Sequence, residues 1–300
     1  MRRKSLFLMM IVLLLIGLLG SGSVLAVSAE VEEAVNDYFA NLPKDNAMIA
    51  QDAFIEMVNA GQDLFILDIR QADVYNQGHI KGAVNLPWGP DAIAENLDKL
   101  PVDETIYVYC YTAQTANQTV ALLNFAGFEA KSVKFGWNLG ITRVDGYKAV
   151  VETTVNELSG TTPYKVDPEI KSAIVNYYKG LADVNSTMFK NYKISEDILK
   201  MMIDAEEDIT ILSIRQASAF TEGHIPGAIN IPWGQGMEEY FGQLPEGKKI
   251  VVYCYTGQTA GQAVAGLRML GYDAVSLNGG MGTPANKPYG WSNKGHEVVQ

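Results

Sequence analysis

The chain has 300 residues, a formal net charge of −11 and two cysteines. The acidic balance argues against a nucleic-acid partner, because phosphate binding needs a basic surface. It also provides no long-range attraction for an anionic substrate, so any anion site has to be built locally.

The chain opens with Arg2, Arg3 and Lys4, then an apolar run from Leu6 to Leu19, then the small residues Val27-Ser28-Ala29 ahead of Glu30. That is the layout of a signal peptide over residues 1–29, with cleavage expected after Ala29. An uncleaved anchor is the alternative, because the apolar stretch reads on to Val27, about the ~20 residues a membrane span needs. Either way an extracytoplasmic protein is expected (secreted, periplasmic or at the cell surface), with no membrane span if the signal is cleaved.

The mature chain is a duplication. Gly78-His-Ile-Lys-Gly-Ala-Val-Asn-Leu-Pro-Trp-Gly89 returns as Gly223-His-Ile-Pro-Gly-Ala-Ile-Asn-Ile-Pro-Trp-Gly234, and Val108-Tyr-Cys-Tyr-Thr-Ala-Gln-Thr-Ala116 as Val252-Tyr-Cys-Tyr-Thr-Gly-Gln-Thr-Ala260. Such a period is too long for a solenoid, whose units run about 20–50 residues. It implies two units, over 30–150 and 168–300, joined by a Thr-, Gly- and Pro-containing linker over 151–167. Val35-Asn-Asp-Tyr38 and Val175-Asn-Tyr-Tyr178 read as the matching entry helices.

Within the first unit, short apolar runs predict strands at Leu64–Ile69, Ala83–Asn85, Thr105–Tyr109 and Ala130–Val133. The second repeats them at Ile209–Ile214, Ala228–Asn230, Lys249–Tyr253 and Ala274–Leu277. After each cysteine a helix is expected, since Ala116, Val120 and Leu123, like Ala260, Val264 and Leu267, are spaced i, i+4, i+7. Gly127 and Gly271 are placed to stop these helices. Strands alternating with helices predict an α/β fold built on a parallel sheet.

Each cysteine therefore ends a strand just before a helix. Free N–H groups and the helix dipole converge there, favouring thiolate and holding an anion. Consecutive loop N–H groups build an anion nest without Lys or Arg. Cys110 and Cys254 are thus the candidate nucleophiles. Tyr111, Thr112, Ala113, Gln114 and Thr115, with Tyr255, Thr256, Gly257, Gln258 and Thr259, are the candidate substrate-binding residues. Gly257 suits a tight turn, and Ala113 in its place is expected to form the nest less easily. A disulfide between the cysteines would have to join two equivalent loops, and an inert buried thiol does not account for the repeated polar loop. The three histidines, His79, His224 and His296, are not spaced as metal ligands with either cysteine. No metal and no cofactor is expected. His79 and His224, among glycines before a short strand, read as hydrogen-bonded structural residues. Arg70 and Arg215 read as internal ion-pair or carbonyl partners, and Trp88 and Trp233 as packing residues.

Leu67-Asp-Ile-Arg70, Gly78-His-Ile-Lys-Gly-Ala83, Asn85-Leu-Pro-Trp88 and the strand–Cys110 loop–helix unit resemble the rhodanese (sulfurtransferase) domain. Ile214-Arg215, Gly223-His-Ile-Pro-Gly-Ala228, Ile231-Pro-Trp233 and Cys254 resemble it again. The resemblance implies two tandem rhodanese-like domains, each a mostly parallel five-stranded sheet flanked by helices. It also implies transfer of sulfur through cysteine persulfides. The donor would be a small sulfur-containing anion such as thiosulfate, a polysulfide or a mercapto-acid, and the acceptor a thiol, cyanide or a protein. Tandem members commonly keep an active cysteine in the second domain alone, which makes Cys254 the safer nucleophile and Cys110 an additional one. Ser213 stands where the first unit has Asp68, so an internal salt bridge of the second unit is expected to be weakened without touching its loop. Neither loop carries Arg or Lys, which leaves the donor open and argues against a cysteine phosphatase or arsenate reductase, whose loops end in Arg. A sulfur or chalcogen carrier serving a redox partner is the competing reading, and a purely structural tandem a third.

Overall fold

The computed structural model describes residues 27–159 and 164–300. The expected leader lies outside the described residues except for its end. There Ser28 caps the first helix, its Oγ accepting from the Val31 N–H at 3.4 Å. In chain order the first unit contains α1 (Ala29–Ala40), β1 (Met48–Ile49), α2 (Gln51–Asn59), β2 (Phe65–Asp68), α3 (Ala72–Tyr75), β3 (His79–Ile80), β4 (Val84–Asn85), α4 (Ala92–Glu95), β5 (Ile106–Tyr109), α5 (Gln114–Phe125), β6 (Ala130–Val133) and β7 (Val151–Glu152). The second contains α6 (Pro168–Val184), β8 (Lys193–Ile194), α7 (Glu196–Asp204), β9 (Ile209–Ser213), α8 (Ala217–Glu222), β10 (Ile229–Asn230), β11 (Lys249–Tyr253), α9 (Gln258–Met269) and β12 (Asp273–Leu277). No helix among the described residues is long and apolar enough to cross a membrane.

Each unit holds one five-stranded sheet, in the orders β1-β6-β5-β2-β4 and β8-β12-β11-β9-β10, with every pairing parallel. The α/β expectation holds. The outer strands β1 and β8 are two residues each, too short to leave a periodic signal. The segment expected as linker also carries structure. Val151 and Glu152 pair antiparallel with β3, and the Asn156 side chain donates to the Ala83 carbonyl.

The units interlock. α5 and α9 follow the two cysteines and pack on each other across an approximate twofold. Gly261 permits this approach, since a Cβ there would sit 2.6 Å from the Gln114 carbonyl oxygen. Both helices are buried on nearly every face, so polar side chains at the seam are paired rather than solvated. Gln262 donates to Asn117 Oδ1 at 2.6 Å and accepts from Tyr38 Oη at 2.7 Å, while Gln118 accepts from Tyr177 Oη at 2.5 Å. The entry helices are exchanged. Phe39 of α1 packs on Trp233 and Phe241 of the second unit, and Tyr178 of α6 packs on Trp88 of the first. These contacts correct the expected alignment of the entry helices by one residue. Val35, Tyr38 and Phe39 correspond to Ile174, Tyr177 and Tyr178, because burial against the opposite unit sets the match rather than the shared Val-Asn letters.

Under each sheet end lies a buried arginine. Arg70, 1% exposed, grips Asp68 through Nε at 3.0 Å and Nη2 at 2.6 Å, donates to the Gly78 carbonyl and lies over Trp137. Arg215 donates to the Gly223 carbonyl, but with Ser213 in the carboxylate's position its buried Nε has no hydrogen-bond partner among the described residues. An unpaired buried charge is costly, and a hydrogen bond to a charged group is worth about 1.5–3 kcal/mol. Ser213→Asp is therefore expected to raise the unfolding free energy by about 2 kcal/mol, and Asp68→Ser to lower it by about 3–5 kcal/mol. Urea denaturation midpoints of the two variants against the parent check both signs.

Candidate functional site

The two cysteine loops are built alike. β5 ends at Tyr109 and α5 starts at Gln114, and β11 ends at Tyr253 and α9 starts at Gln258, so four residues make each turn. Both turns close on a left-handed residue, Ala113 at φ 69° and Gly257 at φ 82°. The alanine loop reaches the same left-handed turn as the glycine loop. It accepts a left-handed strain of roughly 1–2 kcal/mol to do so. A second segment fastens each loop from outside. Trp137 and Asn138 donate their N–H groups to the Cys110 and Tyr111 carbonyls, and Met281 and Gly282 donate to those of Cys254 and Tyr255, at 2.8–2.9 Å. Gly136 and Gly280 let these segments in. A Cβ on either would stand 2.5 Å from the cysteine carbonyl oxygen.

With the carbonyls tied outward, the loop N–H groups are left to turn inward. Cys110 Sγ accepts from the Ala116 N–H at 3.4 Å, and Cys254 Sγ from the Gly257 N–H at 3.1 Å. Both cysteines are free, and their exposures are 2% and 3%. A sulfur at a helix N-terminus, bonded by backbone N–H, favours negative charge on itself or on an atom attached to it.

The other expected loop residues separate into two groups. Tyr111, Thr112 and Thr115 line a cleft of about 550 Å³ that opens onto Cys110. Tyr255 is exposed, and Thr256 and Thr259 are half-buried. Gln114 and Gln258 turn their side chains across the seam instead. Gln114 Nε2 donates to the Leu277 carbonyl at 3.1 Å, and Gln258 Oε1 accepts from the Phe135 N–H at 3.0 Å. What these two, Ala113 and Gly257 can offer an anion is backbone. His79 is wholly buried, stacks on Tyr75, and has a carbonyl oxygen within 3 Å of each ring nitrogen. His224 stacks on Phe220 and bonds its carbonyl. The indole Nε1 of Trp88 donates to Asn191 and that of Trp233 to Asn46, across the seam in both directions.

The cleft at Cys110 contains side chains that the loop sequence does not reveal. Lys190 and Lys193, from the second unit, line it beside Cys110, Tyr111 and Trp88. Burial lowers the Lys193 ammonium below the usual lysine range, while the neighbouring Cys110 and Glu196 pull it back up. A larger cleft of about 690 Å³ lies elsewhere, along α1, with Glu30, Glu33, Asp37 and Glu129 on its rim and neither cysteine in it.

Comparison with known proteins supplies an independent line. A family model described as "Rhodanese-like domain" matches residues 50–140 and again 195–283. The chain is 33% identical over 93 residues to "Thiosulfate sulfurtransferase GlpE" of Shewanella oneidensis, spanning 31% of this chain and 88% of that protein. It is 29% identical over 83 residues to "Putative sulfur carrier protein YrkF" of Bacillus subtilis, spanning 28% of this chain and less than half, 44%, of that protein. "Putative thiosulfate sulfurtransferase 2" of Mycobacterium bovis aligns across both units, at 21% identity over 269 residues, 80% of this chain and 82% of that one.

The two glycines behind the loops give a direct test of the geometry. Gly136→Ala and Gly280→Ala each combine a positive φ with a Cβ driven into backbone. Each is expected to cost about 3 kcal/mol of stability and to leave the adjacent cysteine more accessible. Chemical denaturation together with the alkylation rate of the nearby thiol measures both effects.

Proposed function

From the fact that this chain belongs to the rhodanese-like family, as a tandem of two such domains, we propose that it is a thiosulfate sulfurtransferase-like enzyme acting through persulfides on Cys110 and Cys254. The observation that carries this reading is the bond from a backbone N–H to each Sγ at the start of a helix. In the proposed reaction the thiolate attacks the outer sulfur of a donor such as thiosulfate. The new S–S bond forms as the donor's own S–S bond breaks, and sulfite leaves with the electron pair. The cysteine now carries a terminal persulfide sulfur, anionic like the thiolate it replaces, and the N–H groups of Tyr111–Thr115 or Tyr255–Thr259 hold it. A thiol, cyanide or a protein acceptor then attacks that outer sulfur, and the cysteine leaves as thiolate. We place this activity outside the cytoplasm on the strength of the N-terminal leader pattern.

A second reading has one observation in its favour. Both sulfurs are almost fully buried, which suits storage of a sulfur atom better than access by a bulky acceptor. On that reading the chain is an extracytoplasmic sulfur or chalcogen carrier, or a binding module, for a redox partner, with little turnover of its own. The B. subtilis relative's name agrees with it.

Intact-mass measurement after exposure to thiosulfate or polysulfide, on the parent, Cys110→Ser and Cys254→Ser, tests the proposal. Gain of one sulfur atom on each remaining cysteine, released by cyanide over many cycles, is the expected result. Stable gain without turnover supports the carrier, and no gain on freely alkylated thiols removes both readings.

A further inference from the structure

We propose that the cleft at Cys110 is the loading site for an oxyanion sulfur donor of the thiosulfate class, and that Lys190 and Lys193, supplied by the second unit, bind the donor's oxygens there. The proposal rests on the persulfide reading and adds which cysteine loads and what holds the donor.

Each unit sends a short segment across the seam to the other unit's tryptophan. Asn46 accepts from Trp233 and Asn191 accepts from Trp88. Both segments then pass through two consecutive left-handed residues, Asn46 and Ala47 in one, Asn191 and Tyr192 in the other. Both then enter an outer strand in the same register, Met48 beside Ser132 and Lys193 beside Ser276. Met48 and Asp45 are therefore the structural counterparts of Lys193 and Lys190. The backbone repeats, and the charges facing the two cysteines do not.

Lys190, exposed, and Lys193, half-buried, both line the Cys110 cleft, and among the described residues neither forms an ion pair. Lys193 is half-buried, so its charge is less screened than a surface lysine's. Glu196 is the carboxylate it feels, and that group is already engaged by the Gly290 N–H. On the counterpart segment, Asp45 is a carboxylate paired with Lys131 at 2.9 Å, and Met48 carries no charge. Arg215 packs beneath Tyr255 of the Cys254 loop but is buried and donates to the Gly223 carbonyl. A dianion with its charge on oxygen, presenting a sulfur to Cys110, matches two ammonium groups beside a thiolate held by backbone N–H. In the loading step the Cys110–sulfur bond forms, the donor's S–S bond breaks, and sulfite departs with the electron pair and both its negative charges, which the lysines hold until release.

The test uses one-cysteine proteins and the ratio of two rates: sulfur gain from thiosulfate, and alkylation by neutral iodoacetamide. Loss of thiolate or of access slows both reactions and leaves the ratio unchanged, so the ratio isolates recognition of the oxyanion. In Cys254→Ser protein, Lys193→Met is expected to lower the ratio at Cys110 about tenfold or more, and Lys190→Gln to lower it further. In Cys110→Ser protein the ratio at Cys254 is expected to be lower than that at Cys110, and Met48→Lys to raise it. An unchanged ratio in Lys193→Met, or faster loading of Cys254 than of Cys110, overturns the proposal. Loading of Cys110 from hydropolysulfide but not from thiosulfate overturns the oxyanion site and leaves the persulfide reading standing. A Cys110 that is alkylated but gains sulfur from no donor removes the reading at that cysteine, and the loading site with it.

Discussion

The close approach of α5 to α9 is the constraint on which the rest of this molecule depends. Each helix begins one turn after a cysteine, so the seam that joins the units also fixes the two helix N-termini that face the sulfurs. Small residues make the approach possible, and they have to sit on the helix that is approached. Gly261 faces the Gln114 carbonyl, and Gly266 faces the Phe39 ring. A seam this tight buries amides and hydroxyls, and each must find a partner inside it because water cannot reach them. The exchanged helices α1 and α6 meet that demand. Tyr38 and Tyr177 supply the hydroxyls that the seam glutamines accept. The two units therefore share one buried seam, and each seam glutamine has partners from both units or from an exchanged helix.

On this nearly symmetric frame the charges are distributed unequally. Asp68 neutralises Arg70 in the first unit, whereas Ser213 leaves Arg215 with an orphaned Nε in the second. Lys190 and Lys193 stand where the first unit has Asp45 and Met48. Ala113 holds a left-handed turn that Gly257 holds without strain. Duplicated backbones constrain the loops, because the loop carbonyls, the fastening segments and the glycines behind them have to match together. Side chains at the rims carry no such joint constraint and are free to diverge. The loops are therefore alike, and the rims beside them are not.

The sequence made the loops legible because everything they need is local: strand end, cysteine, turn and helix start within a dozen residues. Six of the eight predicted strands differ from the observed ones only at their ends, and Ala130–Val133 and Lys249–Tyr253 coincide with them. The structural roles of Arg70 and His79 were also readable, since each has partners close in the chain, Asp68 and Gly78 for Arg70 and Tyr75 for His79, although Trp137 and Thr154 come from farther along. What could not be read is what crosses the seam. Val35-Asn-Asp-Tyr38 and Val175-Asn-Tyr-Tyr178 share letters in the wrong register, because their environment is the opposite unit. Gln114 and Gln258 look like substrate ligands in a polar loop, yet their side chains serve the other unit's backbone. Lys190 and Lys193 carry no motif. The available signal was the contrast between Phe189-Lys-Asn-Tyr-Lys193 and its counterpart Lys44-Asp-Asn-Ala-Met48, a place where the duplication changes charge. Without the fold, nothing ties that contrast to Cys110.

The same contrast resolves a difficulty posed by the composition. A chain of net charge −11 repels a dianion at long range, and at physiological ionic strength that repulsion is screened beyond about 8 Å. Inside that distance the local arrangement decides. Two unit charges 4 Å apart interact by about 1 kcal/mol in bulk water and by about 4 kcal/mol at the effective dielectric near a protein surface. One half-buried ammonium can therefore outweigh many distant carboxylates, provided that no nearby carboxylate claims it. Within the first unit, Gln71, Gly89 and Pro90 line the cleft with Cys110 and carry no charge. An ammonium brought from the other unit leaves the loop undisturbed. Duplication followed by exchange of the entry segments thus lets an acidic protein place lysines beside a cysteine without altering the loop that holds it. Because the rim belongs to the neighbouring unit, the surroundings of the two cysteines differ while their loops remain alike.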